Sequence, residues 1–337
     1  MPQDIESAGA RLRQLVDGFK ISQALYALVV TGVADLLAQR ERTADDLAAE
    51  AGLHPRALYR LLRALAAAGV LHESDGQRFR MTEVGELLGS EAPGSLAAWT
   101  AYMGSPLNWR TWGSLVESIR TGKTAYRILF DTDAWTYRGS HPVEQAQFDR
   151  AMVSATGDSE AVLHAYDFSR FPTVVDVGGG RGAFLGALLA HHRSMVGILF
   201  DQPQVVAGAS PVLEGFGVLD RCQIVAGTFF DEVPGGGDAY VLKSIIHDWD
   251  DEQAGRILTV CRSNMPAGAT VFLLERVLAP PNQGLLDKVS DLNMLVNPGG
   301  MERTHDEFAT LLGKFGFSLQ RHIRTSGPQD VLEALPV

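Results

Sequence analysis

The sequence predicts an α/β chain: a mostly parallel sheet with an antiparallel hairpin at its C-terminal edge, preceded by a mainly helical region with a winged-helix outline. Three observations predict it. Short β-branched runs alternate with helical stretches from Phe171 onward, a glycine turn follows the first of these runs, and residues 6 to about 100 place apolar residues at spacings of three and four. The division falls near residue 100, with residues 1–100 as one domain and 101–337 as the other.

The first helix is carried by Leu12, Leu15, Phe19, Leu25 and Leu28 on one stripe. Thr43 is placed to cap Ala44 to Ala51, Pro55 opens a helix through Leu58, Leu61, Leu62 and Leu65, and Gly69 ends it. Val70 to Glu73 and Arg78 to Met81 flank the turn Asp75-Gly76 as a hairpin, and Thr82 caps a further short helix. Four tryptophans (Trp99, Trp109, Trp112, Trp135) then cluster with Tyr102, Tyr126, Phe130 and Tyr137. Such rings form either a pocket or interface, or ordinary core between helices.

The later strands are Thr173 to Val177, Val196 to Asp201, Cys222 to Ala226, Ala239 to Leu242 and Thr270 to Glu275. Helical stretches between them argue for parallel pairing with helices on both faces. Phe317 to Ile323 and Asp330 to Leu335 have only Ser326-Gly327-Pro328 and its neighbours between them, too little for a crossover, so they pair antiparallel.

With 46% hydrophobic and 20% charged residues, the 337-residue chain has ample material for packed cores. A net charge of -11 repels phosphate backbones, so nucleic acid is not an expected partner. The longest near-apolar stretch, Ala24 to Ala34, is shorter than a bilayer span, and no charged-then-apolar leader opens the sequence; no membrane partner and a cytoplasmic location are expected. Cys222 and Cys261 read as reduced thiols.

Ligands of open α/β sheets bind beyond the carboxyl ends of the strands, so the chemistry should lie just after each one. Gly178, Gly179, Gly180 and Gly182 allow a tight turn and close approach to a nucleotide-type cofactor, although a βα turn with nothing bound reads the same. Asp201, 25 residues beyond Asp176, suits ribose hydroxyls, or simply starts a helix before Pro203. Thr228 and Phe229 offer a polar group and an aromatic face after the third strand, and Lys243, Ser244, His247, Asp248 and Trp249 follow the fourth.

These motifs make the chain resemble a known family. "VVDVGGGRGAF", "LFDQP", "GTFFDEVPGGGDAYVLKSIIHDWDDE", "LLERVLAP" and "NPGGMERTHDEF" look like the S-adenosylmethionine-dependent O-methyltransferases of the plant caffeate type and their bacterial relatives acting on secondary metabolites. "GVADLLA", "RALYRLLRALAAAGVL" and "RMTEVGELL" are similar to that family's N-terminal dimerisation region, so the resemblance spans nearly the whole chain. It implies a Rossmann-like class I methyltransferase sheet, a homodimer, and S-adenosylmethionine as cofactor. By the same resemblance Gly178 and its neighbours hold the methionine end, Asp201 the ribose, Thr228 and Phe229 flank adenine, Lys243 and Ser244 border the cofactor, and Trp249 packs on its base. Thr228 departs from the family, which often carries an acidic residue there; a hydroxyl still accepts one bond.

His247 matches the family's general base, and Glu275 and Glu302 the two glutamates beside it. Methyl transfer to a phenol requires removal of a proton with a pKa near 10, work for which a positioned imidazole is suited. A carboxylate at the far ring nitrogen then fixes the tautomer. Read without the family, His247 is a structural histidine opening a helix, Glu302 a capping or Arg303-paired surface group, and Asp248 either a helix N-cap or a contact to an acceptor hydroxyl. The resemblance sets Phe148, Met152, Asn293 and Asn297 along the acceptor ring, though Phe and Met at helical spacing are also ordinary core. Arg11 is a candidate for gripping an acceptor carboxylate from the partner subunit, or a solvated helix arginine, and Asp158 a further candidate for an acceptor hydroxyl. No metal is expected, because these donors lack ligand spacing.

Two readings compete with methyl transfer to an aromatic small molecule. One is a winged-helix regulator with a metabolite-sensing domain; against it, Arg56 to Arg63 contributes only three arginines. The other is a family member that turned the fold to hydroxylation or decarboxylation; the retention of His247, Glu275 and Glu302 together speaks for transfer.

Overall fold

The computed structural model describes residues 7–154 and 159–337. Two compact units emerge, Met1–Arg110 with Arg150–Ala155, and Thr111–Asp149 with Thr156–Val337.

In the first unit, the helix Ala8–Val30 begins at Ser7, whose hydroxyl accepts from Ala10 N–H. It ends before Gly32, whose φ of +74° suits a residue without Cβ. The helices Val33–Gln39, Ala44–Ala51 and Pro55–Ala67 follow, with Thr43 capping the second of these through Asp46 N–H. Strands β1 (Arg42–Thr43), β2 (Leu71–Ser74) and β3 (Arg78–Met81) form an antiparallel sheet in the order β1-β3-β2. Leu28, Val33, Leu47, Leu62, Leu65 and Phe79, all without accessible surface, fill the core between these helices and the sheet. The winged-helix outline is therefore present. It gains β1, a two-residue strand absent from the sequence expectation because it shares Thr43 with the helix cap.

The second unit is built on β4 (Thr173–Val177), β5 (Val196–Asp201), β6 (Cys222–Ala226), β7 (Ala239–Lys243), β8 (Thr270–Glu275), β9 (Phe317–Ile323) and β10 (Asp330–Pro336). The order is β6-β5-β4-β7-β8-β10-β9, parallel through β8 and antiparallel for β10 and β9, as expected. Alternate residues face opposite layers. Val174, Val241, Phe272 and Leu274 pack on one side with the helix Ala183–His191, and Val175, Val177, Tyr240, Leu242, Val271 and Leu273 on the other with the helices Asp251–Asn264 and His305–Lys314. Each buried aliphatic side chain contributes roughly 1.5–3 kcal/mol, so this two-sided burial makes the strand ends a rigid platform.

The order reverses between β4 and β7, since β5 and β6 lie to one side of β4 and β7 and β8 to the other. That reversal opens a crevice at the carboxyl ends of β4 and β7, where the glycine turn and residues 243–249 begin.

Candidate active site

The glycine turn is pinned to its neighbouring strand, because Gly178 and Gly179 N–H both donate to Phe200 O, at 2.8 and 3.2 Å. Gly178 has φ +71°, and a Cβ there would stand 2.4 Å from Ile245 Cδ1 and 3.2 Å from Phe229. Both conformation and space therefore demand glycine. Gly180 also has a positive φ, but a Cβ there would meet nothing within 4 Å, so the turn is open at this point. Its N–H donates to Asp201 Oδ2 at 2.8 Å, while Asp201 Oδ1 takes Gln202 N–H. Asp201 thus braces the turn, and the helix Pro203–Val206 starts from Gln202 instead.

Phe229, Phe230 and Trp249 meet edge to face with ring centroids 4.8–6.1 Å apart, and Trp135 stacks on Trp249 at 6.0 Å. Thr228 spends its hydroxyl on Phe230 N–H at 3.3 Å, which shapes this aromatic turn. Asp176 is 1% exposed, and burial pushes its carboxyl up to about 7, against the pull of the Lys243 charge and of the Leu185 backbone N–H. Burial likewise pushes Asp201 up to about 6. Open space beside glycine, flat aromatic faces and buried carboxylates fit a large cofactor with an aromatic base and a cationic end.

Beyond β7 the chain turns sharply. Ser244 adopts φ +53°, with its N–H on Leu274 O at 2.9 Å and its hydroxyl accepting from Gln329 at 3.3 Å. Lys243 lies at the end of β7, and its charge acts on Asp176. Glu275, fully buried at the end of β8, takes Ile245 and Ile246 N–H on Oε1 at 3.1 and 2.7 Å. Its second oxygen lies 3.7 Å from His247 Nδ1. Glu275 therefore builds the loop that carries His247.

The tight hydrogen bond to His247 comes from Glu302, whose Oε1 is 3.1 Å from Nδ1. Glu302 is 3% exposed and its oxygen also accepts from Ser290 Oγ at 2.7 Å, with Arg276 Nε at 3.9 Å. The surface-carboxylate reading of Glu302 is overturned. Arg303, 1% exposed, binds Asp251 and the carbonyls of Ile246, Trp249 and Met301 instead, tying the histidine loop from below. Gly300 makes the approach possible: a Cβ would lie 2.1 Å from His247 O, and Met301 N–H donates to that same carbonyl at 2.9 Å.

Asp248 Oδ1 faces the other ring nitrogen, Nε2, at 3.6 Å. The helix that follows is capped by Asp250, which accepts Gln253 N–H, so the capping role considered for Asp248 belongs two residues later. Burial alone would lower the His247 pKa, but Glu275, Asp248 and Glu302 outweigh it and push it up to about 10. Burial pushes Glu275 up to about 7 and Asp248 up to about 6, against the pull of His247. Burial would also raise Glu302, but the imidazole beside it holds this carboxyl below its ordinary range. His247, Glu275 and Glu302 each bring one donor atom within 4.8 Å of the others. Sequence spacing was no guide to this convergence. Both carboxylates address the same ring nitrogen, the arrangement that orients an imidazole N–H.

Around this centre, Trp135 edges Phe148 at 5.9 Å, and Arg138, 4% exposed, lies 4.0 Å over the Phe148 ring while its charge acts on Asp248. Asn293 Oδ1 accepts from Asn297 Nδ2 at 2.7 Å and from Trp112 Nε1 at 3.3 Å, so these two asparagines are a fixed pair. Met152 is 39% exposed and belongs to the first unit, as does Arg11, an exposed residue bonded to Gln14 at 3.3 Å. Asp158 lies outside the described residues. The aromatic cluster read from the sequence divides accordingly: Trp135 joins Trp249 and Phe148, Tyr126, Phe130 and Tyr137 meet one another at tilted or edge-on angles, and Trp99 and Tyr102 pair in the first unit. Ser290, Arg276, Arg138 and the role of Arg303 had no sequence signal, because each acts across a fold contact and not through a motif.

The chain matches the model of an O-methyltransferase domain over residues 112–318 and that of an O-methyltransferase dimerisation domain over residues 13–91. It is 39% identical over 327 residues to a phenazine O-methyltransferase of Lysobacter antibioticus, covering 97% of this chain and 96% of that one. It is 39% identical over 339 residues to an O-demethylpuromycin-O-methyltransferase of Streptomyces alboniger, covering 98% and 90%. Among solved structures it resembles an O-methyltransferase of neocarzinostatin biosynthesis in complex with S-adenosylmethionine and 2-hydroxy-5-methyl naphthoic acid. The TM-score there is 0.77, with 32% identity over 94% of this chain and 96% of that one.

Proposed function

The chain belongs to the family of S-adenosylmethionine-dependent O-methyltransferases, and on that premise we infer that it methylates a phenolic hydroxyl of a hydroxylated, carboxylated aromatic secondary metabolite, with His247 as general base. The observation that carries this reading is the His247 ring, 15% exposed and held at Nδ1 by buried Glu302, with Asp248 beside Nε2 at 3.6 Å as the nearest carboxylate to the nitrogen that would meet an acceptor. The relatives support the acceptor class, since their names and bound molecule describe aromatic compounds, one of them a hydroxylated naphthoic acid.

When bound, the cofactor supplies a methyl group on a positively charged sulfur. Gly178, Asp201, Thr228, Phe229, Lys243, Ser244 and Trp249 surround the strand ends where it would lie. His247 Nε2 takes the acceptor's proton. Glu275, Asp248 and Glu302 favour the imidazolium, the form that His247 takes on once it has received the proton. Glu302 holds the tautomer and balances the imidazolium, and Glu275 keeps the loop in place.

Asp248 accepts a second hydroxyl of the acceptor, while Phe148 and the Asn293–Asn297 pair line its ring. Residues 1–100 serve a homodimer and residues 101–337 catalysis, with Arg11 of the partner subunit pairing with the acceptor carboxylate. The test is His247→Ala. Its kcat should fall by about 10²–10⁴ while the Kd for S-adenosylhomocysteine, measured by calorimetry, stays unchanged. Undiminished turnover at neutral pH would remove His247 from the reaction.

A further inference from the structure

A partly buried ion pair joins the glycine turn to the helix Pro142–Ser154, which carries Phe148. Arg181 is the one charged residue of the turn 178–182. Its Nη2 donates to Asp149 Oδ2 at 2.8 Å, with side chains 27% and 6% exposed. Asp149 Oδ1 also accepts from Gln145 Nε2 at 2.6 Å, one helical turn earlier, so the carboxylate is held from its own helix as well. Gly208 leaves room for the guanidinium, because a Cβ there would stand 2.9 Å from Arg181 Nε. Arg181 therefore lies against the segment between the short helices Pro203–Val206 and Ser210–Gly215 while reaching Asp149. Its neighbour Gly180 is meanwhile bonded to Asp201, and the charge of Asp149 acts on Asp201 in turn.

Two apolar side chains of similar volume would also hold a helix against a turn, without the desolvation of a carboxylate that is only 6% exposed. What the ion pair adds is direction. Its energy depends steeply on where the guanidinium sits, and that is set by a turn whose backbone faces the cofactor site. We propose that Arg181 and Asp149 are positioning residues that transmit occupancy of the glycine turn to residues 142–149, so that a bound cofactor sets Phe148 for the acceptor. The link rests on the family's cofactor for its first half and on the assignment of Phe148 to the acceptor wall for its second. Coupling of this kind is reciprocal and typically amounts to about 5–150-fold in affinity.

Hydrogen exchange with S-adenosylhomocysteine as the probe tests it without any acceptor. In the wild-type protein the probe should slow exchange at 178–188 and also at 142–149. In Arg181→Met and in Asp149→Asn the probe should still bind and still protect 178–188. The ligand-induced protection of 142–149 should drop by about fivefold or more, and Arg181→Lys should restore part of it. In turnover, the acceptor KM should rise by roughly tenfold, while the Kd for S-adenosylhomocysteine measured without acceptor changes little. Faster exchange at 142–149 by the same factor with and without the probe would mark the pair as structural support only and overturn the proposal. So would bound probe that leaves 142–149 unprotected in the wild type. Failure of the probe to bind the wild-type protein would strike the cofactor assignment itself, a result told apart by calorimetry.

Discussion

His247 and Glu302 meet at 3.1 Å inside a pocket where Glu275 and Asp248 add two more carboxylates, so removing one negative charge without changing shape should lower the basicity of the imidazole. In Glu302→Gln the pKa of His247 should fall, because one of the groups raising it is gone. The acid limb of kcat/KM against pH should therefore move to lower pH, and the plateau should drop by about tenfold or more. An unmoved limb would mean that Glu302 does not reach the titrating group. Asp176 allows a stability test. Its folded pKa, about 7, stands above the ordinary value of about 3.9, so the native state holds a proton that the unfolded chain has lost. Its contribution is therefore greatest below about pH 4 and is lost as pH rises through about 7. Asp176→Asn lacks that slope, so the variant should gain on the wild type by about 3 kcal/mol between pH 4.5 and 7.5 in ligand-free unfolding curves. The glycine turn, His247 and both glutamates were legible in the sequence because each sits directly after a strand or inside a recognisable motif. Ser290 and Arg276 were not, since they reach Glu302 from a helix and a strand end with no signal of their own.

Between elements, the decisive contact is the segment 299–303 lying against the loop 245–249. Gly300 packs its backbone on His247, Asp248 and Trp249, where a Cβ would stand 2.1–2.4 Å from their backbone atoms. Gly300→Ala must push the loop aside, and misplacing a catalytic group by about 1 Å costs on the order of 10² in rate. We expect kcat to fall by about that factor, with a lower Tm by circular dichroism. Gly313 is the control. It lies in the helix His305–Lys314, where an added methyl would meet nothing within 4 Å, so Gly313→Ala should leave kcat unchanged and add about 0.5–1 kcal/mol of stability. The motif "NPGGMER" was visible as a string, but its purpose was not. Only the packed structure shows that one glycine supplies clearance and that Arg303, expected as a partner for Glu302, holds the loop carbonyls instead.

At the level of the whole molecule, the helix Ala8–Val30 exposes Leu12, Leu15, Val16 and Phe19 by 50–63%, an apolar stripe at helical spacing whose last three residues lie in the region that matches a dimerisation domain. Leu15→Glu with Val16→Glu should shift the protein from dimer to monomer in light scattering, and raise the KM for a carboxylated acceptor if Arg11 serves the partner's site. Among the described residues, no single helix is long and apolar enough to cross a membrane. Periodicity determined the layers and the succession of strands, because a strand buried on both faces and an amphipathic helix announce themselves within a few residues of chain, and the short connection around Ser326-Gly327-Pro328 determined the antiparallel edge. Which of two glutamates bonds the histidine, which aspartate caps the helix, and what Arg181 and Arg303 hold were decided only in three dimensions. Those roles depend on angstrom distances between segments 30 to 57 residues apart, and a charge in the sequence does not state its partner until the backbone brings one within reach.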